Sequence, residues 1–123
     1  MKKIKNTVVV FVDDDKVQLM INKRVLGKLN LKLDVYFFQN PLEALHWLGE
    51  NDVDVLMLDI NMPEMDGWSF LEQMKLKGIK GDVKMLTASI DPEDLNKSKK
   101  FDQISGILIK PIKEEDYLKF LID

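Results

Sequence analysis

Apolar residues along the chain come in short blocks with two alternating rhythms. Residues 7–12 are an unbroken β-branched and aromatic run, the pattern of a strand covered on both faces of a parallel sheet. Val17, Met20, Ile21, Val25 and Leu29 then recur at three- and four-residue steps and predict one apolar stripe of a helix, weakened slightly by Gly27. Residues 33–38 read as a second strand. Asn40-Pro41 opens a second helix, since asparagine caps and proline suits the first turn. Leu42, Leu45 and Leu48 form its predicted apolar face, and Gly49 lies near its end. Residues 53–58 are a third buried strand. A helix over 67–77 follows, with Phe70, Leu71 and Met74 on one stripe and Gly78 and Gly81 at its exit. Residues 83–87 are a fourth strand. Asp91-Pro92 starts a polar helix whose main anchors are Leu95 and Phe101, too few for strong docking. A short fifth strand over 106–109 and a helix over 113–122, with Tyr117, Leu118 and Leu121 facing inward, complete the pattern.

Five strands alternating with five helices predict an α/β fold with an open parallel sheet, and right-handed crossovers place helices on both faces. The expected arrangement is one flavodoxin-like, doubly wound domain over residues 1–123, with strand order 2-1-3-4-5. In such sheets ligands bind outside the carboxyl ends of the strands, near the switch in strand order.

The residues expected at that edge are unusual. The first strand ends in Asp13, Asp14 and Asp15, the third in Asp59, the fourth in Thr87-Ala88-Ser89 and the fifth in Lys110-Pro111. Crowded carboxylates repel unless a cation neutralises them. No histidine or cysteine stands with them, which argues against zinc. An all-oxygen set suits Mg²⁺. Asp14 and Asp59 are the expected direct ligands, Asp13 acts through a water, and Asn61 offers its backbone carbonyl. A carboxylate is also a nucleophile that forms an aspartyl phosphate. Lys110 adds positive charge for phosphoryl oxygens, the Thr87 hydroxyl is a hydrogen-bond donor to them, and Ala88 leaves an approach path.

Composition narrows the classes. The 123 residues hold 18 Lys and Arg against 21 Asp and Glu, a formal charge of −3 that lacks the basic excess of a nucleic-acid binder. Lys97, Lys99 and Lys100 read as a solvated helix face. The absence of cysteine excludes a disulfide framework. The basic start, Met1 to Asn6, is like the first region of a signal peptide, but the apolar run after it is short and meets Asp13. No membrane insertion follows, and a cytoplasmic protein is expected.

The chain resembles the receiver domains of two-component response regulators. The resemblance rests on Val12-Asp13-Asp14, on Leu58-Asp59-Ile60-Asn61-Met62-Pro63-Glu64-Met65-Asp66-Gly67, on Thr87-Ala88 and on Lys110-Pro111. It also includes Asn40-Pro41-Leu42-Glu43-Ala44-Leu45 in the second helix and covers nearly the whole chain. It implies that Asp59 is the phosphoacceptor, that Asp13 and Asp14 are the acidic pocket with Asp14 on Mg²⁺, that Thr87 is the switch hydroxyl and that Lys110 contacts the phosphoryl group. It also implies a cis peptide before Pro111 that aims Lys110 inward, and an output face on the fourth helix, fifth strand and fifth helix. Ile107 departs from the aromatic residue many receivers carry there, and Ser89 occupies a position that helps set dephosphorylation speed in the family, as does Asn61.

Plainer readings apply elsewhere. Asp15 reads as a helix cap, Asp66-Gly67 as a turn and helix start without catalytic duty, and Met62-Pro63 as shaping the loop after Asp59. His46 reads as a surface or packing residue, Trp47 and Trp68 as packing or surface residues, and the seven methionines as gap-fillers.

The leading expectation is a signalling switch. A sensor histidine kinase or a histidine phosphotransfer protein serves as donor, and the output is a downstream protein target or onward phosphoryl relay. The chain stands as a single-domain regulator or as a piece of a longer one. The alternative is a phosphorylation-independent receiver-like binding module, which should have lost one of these residues. A phosphohydrolase ranks last, because Asn61 stands where haloacid-dehalogenase-type enzymes carry a second aspartate.

Overall fold

The most apolar run of the chain forms the middle of a sheet. Val9, Val10, Phe11 and Val12 are fully buried, as expected for a strand with helices over both faces. The structure, a computed structural model, describes residues 6–121. Strands β1 (Thr7–Val12), β2 (Leu33–Phe38), β3 (Val55–Asp59), β4 (Asp82–Thr87) and β5 (Ile104–Ile109) alternate with helices α1 (Lys16–Leu29), α2 (Pro41–Glu50), α3 (Gly67–Leu76), α4 (Pro92–Ser98) and α5 (Glu114–Leu121). All strand pairs are parallel, in the order β2-β1-β3-β4-β5, which is the expected flavodoxin-like topology.

Alternation along the strands divides the apolar residues between two cores. Val10, Val12, Leu56, Leu58, Val83 and Met85 pack with Leu45 and Leu48 of α2 and Phe70, Leu71 and Met74 of α3. Val9, Phe11, Val55, Met57 and Leu86 pack with Leu19 and Leu26 of α1 and Tyr117 of α5. Across this second core the Tyr117 hydroxyl donates to Asn22 Oδ1 at 2.8 Å, tying α5 to α1.

Acidic and amide caps start four of the helices. Asp15, Asn40, Asp66 and Asp91 accept bonds of 2.8–2.9 Å from Val17, Leu42, Ser69 and Glu93 backbone N–H groups. Each satisfies a donor that a helix start leaves unpaired.

Several sequence expectations need correction. Val17 and Met20 are exposed, and α1 buries Leu19, Asn22 and Leu26 instead. Apolar residues occupy much of the circumference of α1, so spacing alone does not select the inward stripe, and a polar residue lies at its centre. Leu42 is exposed, with Pro41 and Ala44 buried beside Leu45 and Leu48. Leu118 and Leu95 are also exposed. Strand β3 starts at Val55 and includes Asp59, and β5 starts at Ile104. Helices α3 and α5 are shorter than expected, ending at Leu76 and starting at Glu114. The basic start, residues 1–5, and Ile122 lie outside the described residues.

Helix α4 buries none of its residues. Its anchor comes just after it: the Phe101 ring stacks on Trp68 of α3 with centroids 5.9 Å apart, and Lys97 Nζ lies 6.0 Å from the Trp68 ring centre.

Candidate functional site

The carboxyl edge of the sheet gathers the polar ends of the strands. Asp13 follows β1 directly and is fully buried. Its N–H donates to Phe38 O at 3.0 Å, and its Oδ1 accepts from the Asp15 N–H at 2.9 Å. These bonds fix the direction of its carboxylate. Asp59 ends β3 and is 4% exposed. Asp14 is exposed at the mouth, and one carboxylate oxygen from each of Asp13, Asp14 and Asp59 lies within 4.8 Å of the others.

Lys110 comes to this cluster from the end of β5. Its N–H donates to Thr87 O at 2.8 Å, and its peptide bond to Pro111 is cis. Lys110 Nζ lies 2.8 Å from Asp13 Oδ2 and 3.2 Å from Asp59 Oδ1. The first contact is an ion pair whose alignment falls short of a hydrogen bond, so buried Asp13 Oδ2 has no hydrogen-bond partner.

Among the described residues one ammonium, that of Lys110, pairs with this acidic pocket and leaves negative charge in excess. Burial, and then the charge of Asp13, push the Asp59 carboxyl up from 3.8 to about 7, although Lys110 pulls the other way. Burial works to lower the pKa of Lys110, but the close carboxylates of Asp13, and then of Asp59, outweigh it and raise the pKa.

The chemistry of this donor set fits a small hard cation. Among the described residues three carboxylates converge without nitrogen or sulfur ligands, the Asp59 carboxyl is destabilised as an ion, and the buried Asp13 Oδ2 has only the Lys110 ion pair and no hydrogen bond. That is the demand of Mg²⁺, which prefers oxygen ligands and keeps waters.

The remaining residues sit around this centre. Asn61 is exposed, and its N–H approaches Asp59 Oδ1 at 3.4 Å. Thr87 is buried, and its hydroxyl donates to Ser89 O at 2.8 Å rather than pointing at Asp59. Ala88 and Ser89 are exposed beside the pocket. Ile107 is half-buried against the core under α2 and α3. His46 lies on the exposed face of α2, with Nε2 3.4 Å from Glu50 Oε1, in no contact with the cluster. Trp68 is buried against Phe101, and Trp47 packs on Tyr36 and Phe38.

The sequence reading missed one close contact. Gly67 is buried at the first position of α3, and its N–H donates to Ile60 O at 2.8 Å. A Cβ there would lie 2.7 Å from Asp59 O. The signal was the glycine after Asp66, which local turn chemistry alone was enough to explain.

This sheet order, with an acidic cluster and a lysine at its carboxyl edge, defines an α/β domain of the receiver class. The chain belongs to the response regulator receiver domain family, whose model matches residues 9–122. That family consists of two-component signalling switches rather than turnover enzymes. The transcriptional regulatory protein MalR of Bacillus subtilis is 31% identical over 94% of this chain and 48% of its own length. The Vibrio cholerae chemotaxis protein CheY4 superposes with a TM-score of 0.76 at 28% identity, covering 95% of this chain and 97% of that one. The receiver domain of a Pseudomonas aeruginosa sensor histidine kinase, solved with a magnesium ion coordinated in its active site cleft, shares the fold with a TM-score of 0.79. It is 19% identical, and the match covers 94% of each chain. The chain spans 29%, 48% and 46% of the length of the first three curated relatives it matches. Among the described residues no helix is long and apolar enough to cross a membrane.

Proposed function

We propose that this domain is a phosphorylation switch of a two-component system, acting in the cytoplasm, in which Asp59 accepts a phosphoryl group in a Mg²⁺-dependent reaction. The observation that carries the reading is the placement of Asp59: buried, 3.2 Å from Lys110 Nζ, with oxygens of Asp13 and Asp14 within 4.8 Å. Asp14 and Asp59 would hold the cation directly, Asn61 through its carbonyl, and Asp13 through water. The bound ion supplies positive charge against the phosphoryl oxygens. The coordinated magnesium in the Pseudomonas receiver's cleft supports the choice of ion.

The donor is the phosphohistidine of a sensor kinase or a phosphotransfer protein. An Asp59 carboxylate oxygen attacks phosphorus, the phosphorus–nitrogen bond breaks, and the imidazole leaves with a proton from solvent. Lys110 shifts from the carboxylates to a phosphoryl oxygen. The Thr87 hydroxyl exchanges Ser89 O for another phosphoryl oxygen. These two movements bias a pre-existing equilibrium of the α4–β5–α5 surface, where Ile90, Leu95 and Ile109 are exposed to a downstream protein target.

Intact mass after incubation with acetyl phosphate tests this. The expected result is a Mg²⁺-dependent gain of one phosphoryl group, labile to hydroxylamine and absent from Asp59→Asn. No gain under conditions that label a control receiver would replace this reading with that of a phosphorylation-independent binding module.

A further inference from the structure

We infer that Gly67 is a positioning residue for the phosphoacceptor: its missing side chain lets the first turn of α3 rest on the backbone of Asp59 and locate the segment that carries the cation ligands. The inference rests on the proposed role of Asp59. That segment is short and clamped from two sides. The Ile60 N–H donates to Leu86 O on β4 at 2.9 Å, and Ile60 O accepts from the Gly67 N–H at 2.8 Å. Ile60 lies between Asp59, the acceptor, and Asn61, the carbonyl ligand, so both are placed through it.

The clamp leaves no room for a methyl group. A Cβ at Gly67 would lie 2.7 Å from Asp59 O, 3.0 Å from Ile60 Cα and 2.8 Å from Met85 Cε. Met85 is fully buried, so its tip can give way only at a cost in core packing. The other two atoms are backbone, and moving them moves Asp59 and Asn61. Gly67 has no positive φ, so the position does not need glycine for backbone conformation. The need is steric and points at the acceptor. By contrast Gly27 and Gly49, also in helices, face open space where a Cβ would be.

The test compares wild type, Gly67→Ala and Gly67→Ala/Met85→Leu. Mg²⁺ affinity is measured by calorimetry, and labelling by acetyl phosphate is measured at saturating Mg²⁺. For Gly67→Ala we expect at least about tenfold weaker Mg²⁺ binding and labelling slowed on the order of a hundredfold, the scale of a misplacement near 1 Å. The double variant removes the methionine contact and retains the backbone ones. It should regain thermal stability without regaining Mg²⁺ affinity, a split that a purely structural glycine would not produce. Backbone amide resonances of Ile60 and Asn61 should shift in the metal-free single variant.

Wild-type Mg²⁺ affinity in folded Gly67→Ala, or recovery of affinity together with stability in the double variant, overturns the inference. If Gly67→Ala alone does not fold, both variants are measured in a stabilising osmolyte, and wild-type affinity in either one is the overturning result. A wild type that binds Mg²⁺ and is never labelled removes the phosphoryl reading while leaving the affinity comparison valid. A wild type that binds no Mg²⁺ overturns both.

Discussion

The raised carboxyl of Asp59 makes the metal-free domain sensitive to pH in an uncommon direction. Its value moves from 3.8 to about 7 in the folded chain. Between those values the native state holds a proton that the unfolded state has lost. Stability therefore falls as pH rises, the reverse of an aspartate held in a favourable ion pair. The contribution is fully present below about pH 4 and gone above the folded value. The loss between pH 5 and 8 is roughly 2–3 kcal/mol, with a slope of at most about 1.4 kcal/mol per pH unit. Lys110 is protonated throughout this window, because its own value is raised, so it adds no slope. The assay is urea unfolding at pH 5, 6, 7 and 8, in EDTA and in Mg²⁺, for wild type and Asp59→Asn. Wild type in EDTA should lose stability across the series, while Asp59→Asn should show a much flatter profile and be the more stable protein at pH 8. Mg²⁺ should remove most of the wild-type loss, because it binds the ionised carboxylate. Wild-type stability that stays level or rises through pH 7 in EDTA, or an equal slope in Asp59→Asn, would refute the reasoning.

Lys110→Ala removes the ammonium that pairs with Asp13 and Asp59, and at pH 8 without metal it should cost about 3 kcal/mol of stability by leaving buried carboxylates uncompensated. Mg²⁺ should restore much of this in the urea midpoint, and a loss unaffected by Mg²⁺ would count against the electrostatic account. Tyr117→Phe removes the buried bond to Asn22 and should cost about 1–2 kcal/mol, with labelling at Asp59 unchanged; a midpoint equal to wild type would show that this bond contributes nothing net.

The parts of the molecule legible in the sequence were those with a strong local code. Residues 7–12 and 33–38 read as strands because both are dense in β-branched and aromatic residues, and both emerge with the expected limits. Asp13, Asp14, Asp59 and Lys110 could be brought together on paper because strand order fixes where chain ends converge, and they do meet. What stayed hidden depends on three-dimensional choices. The facing of α1 turns on Asn22, a polar residue that is buried because it accepts from Tyr117, 95 positions away. The direction of the Thr87 hydroxyl is a rotamer choice settled by Ser89 O. The tightness at Gly67 comes from the approach of the loop to Asp59 O, which no spacing rule reports.

Because α4 buries none of its residues and is held to Trp68 by Lys97 and by Phe101 just after it, its placement and the fold's survival are largely separate free-energy accounts. Lifting residues 92–98 removes no buried side chain from a core and breaks no sheet pairing. Selection can therefore retune how often this segment is displaced through exposed positions such as Leu95 and Lys97 while leaving the melting temperature almost untouched, whereas Trp68 is buried in the first core and couples the two. Two chains of equal thermal stability and identical pockets can then differ widely in how often this segment is displaced at rest.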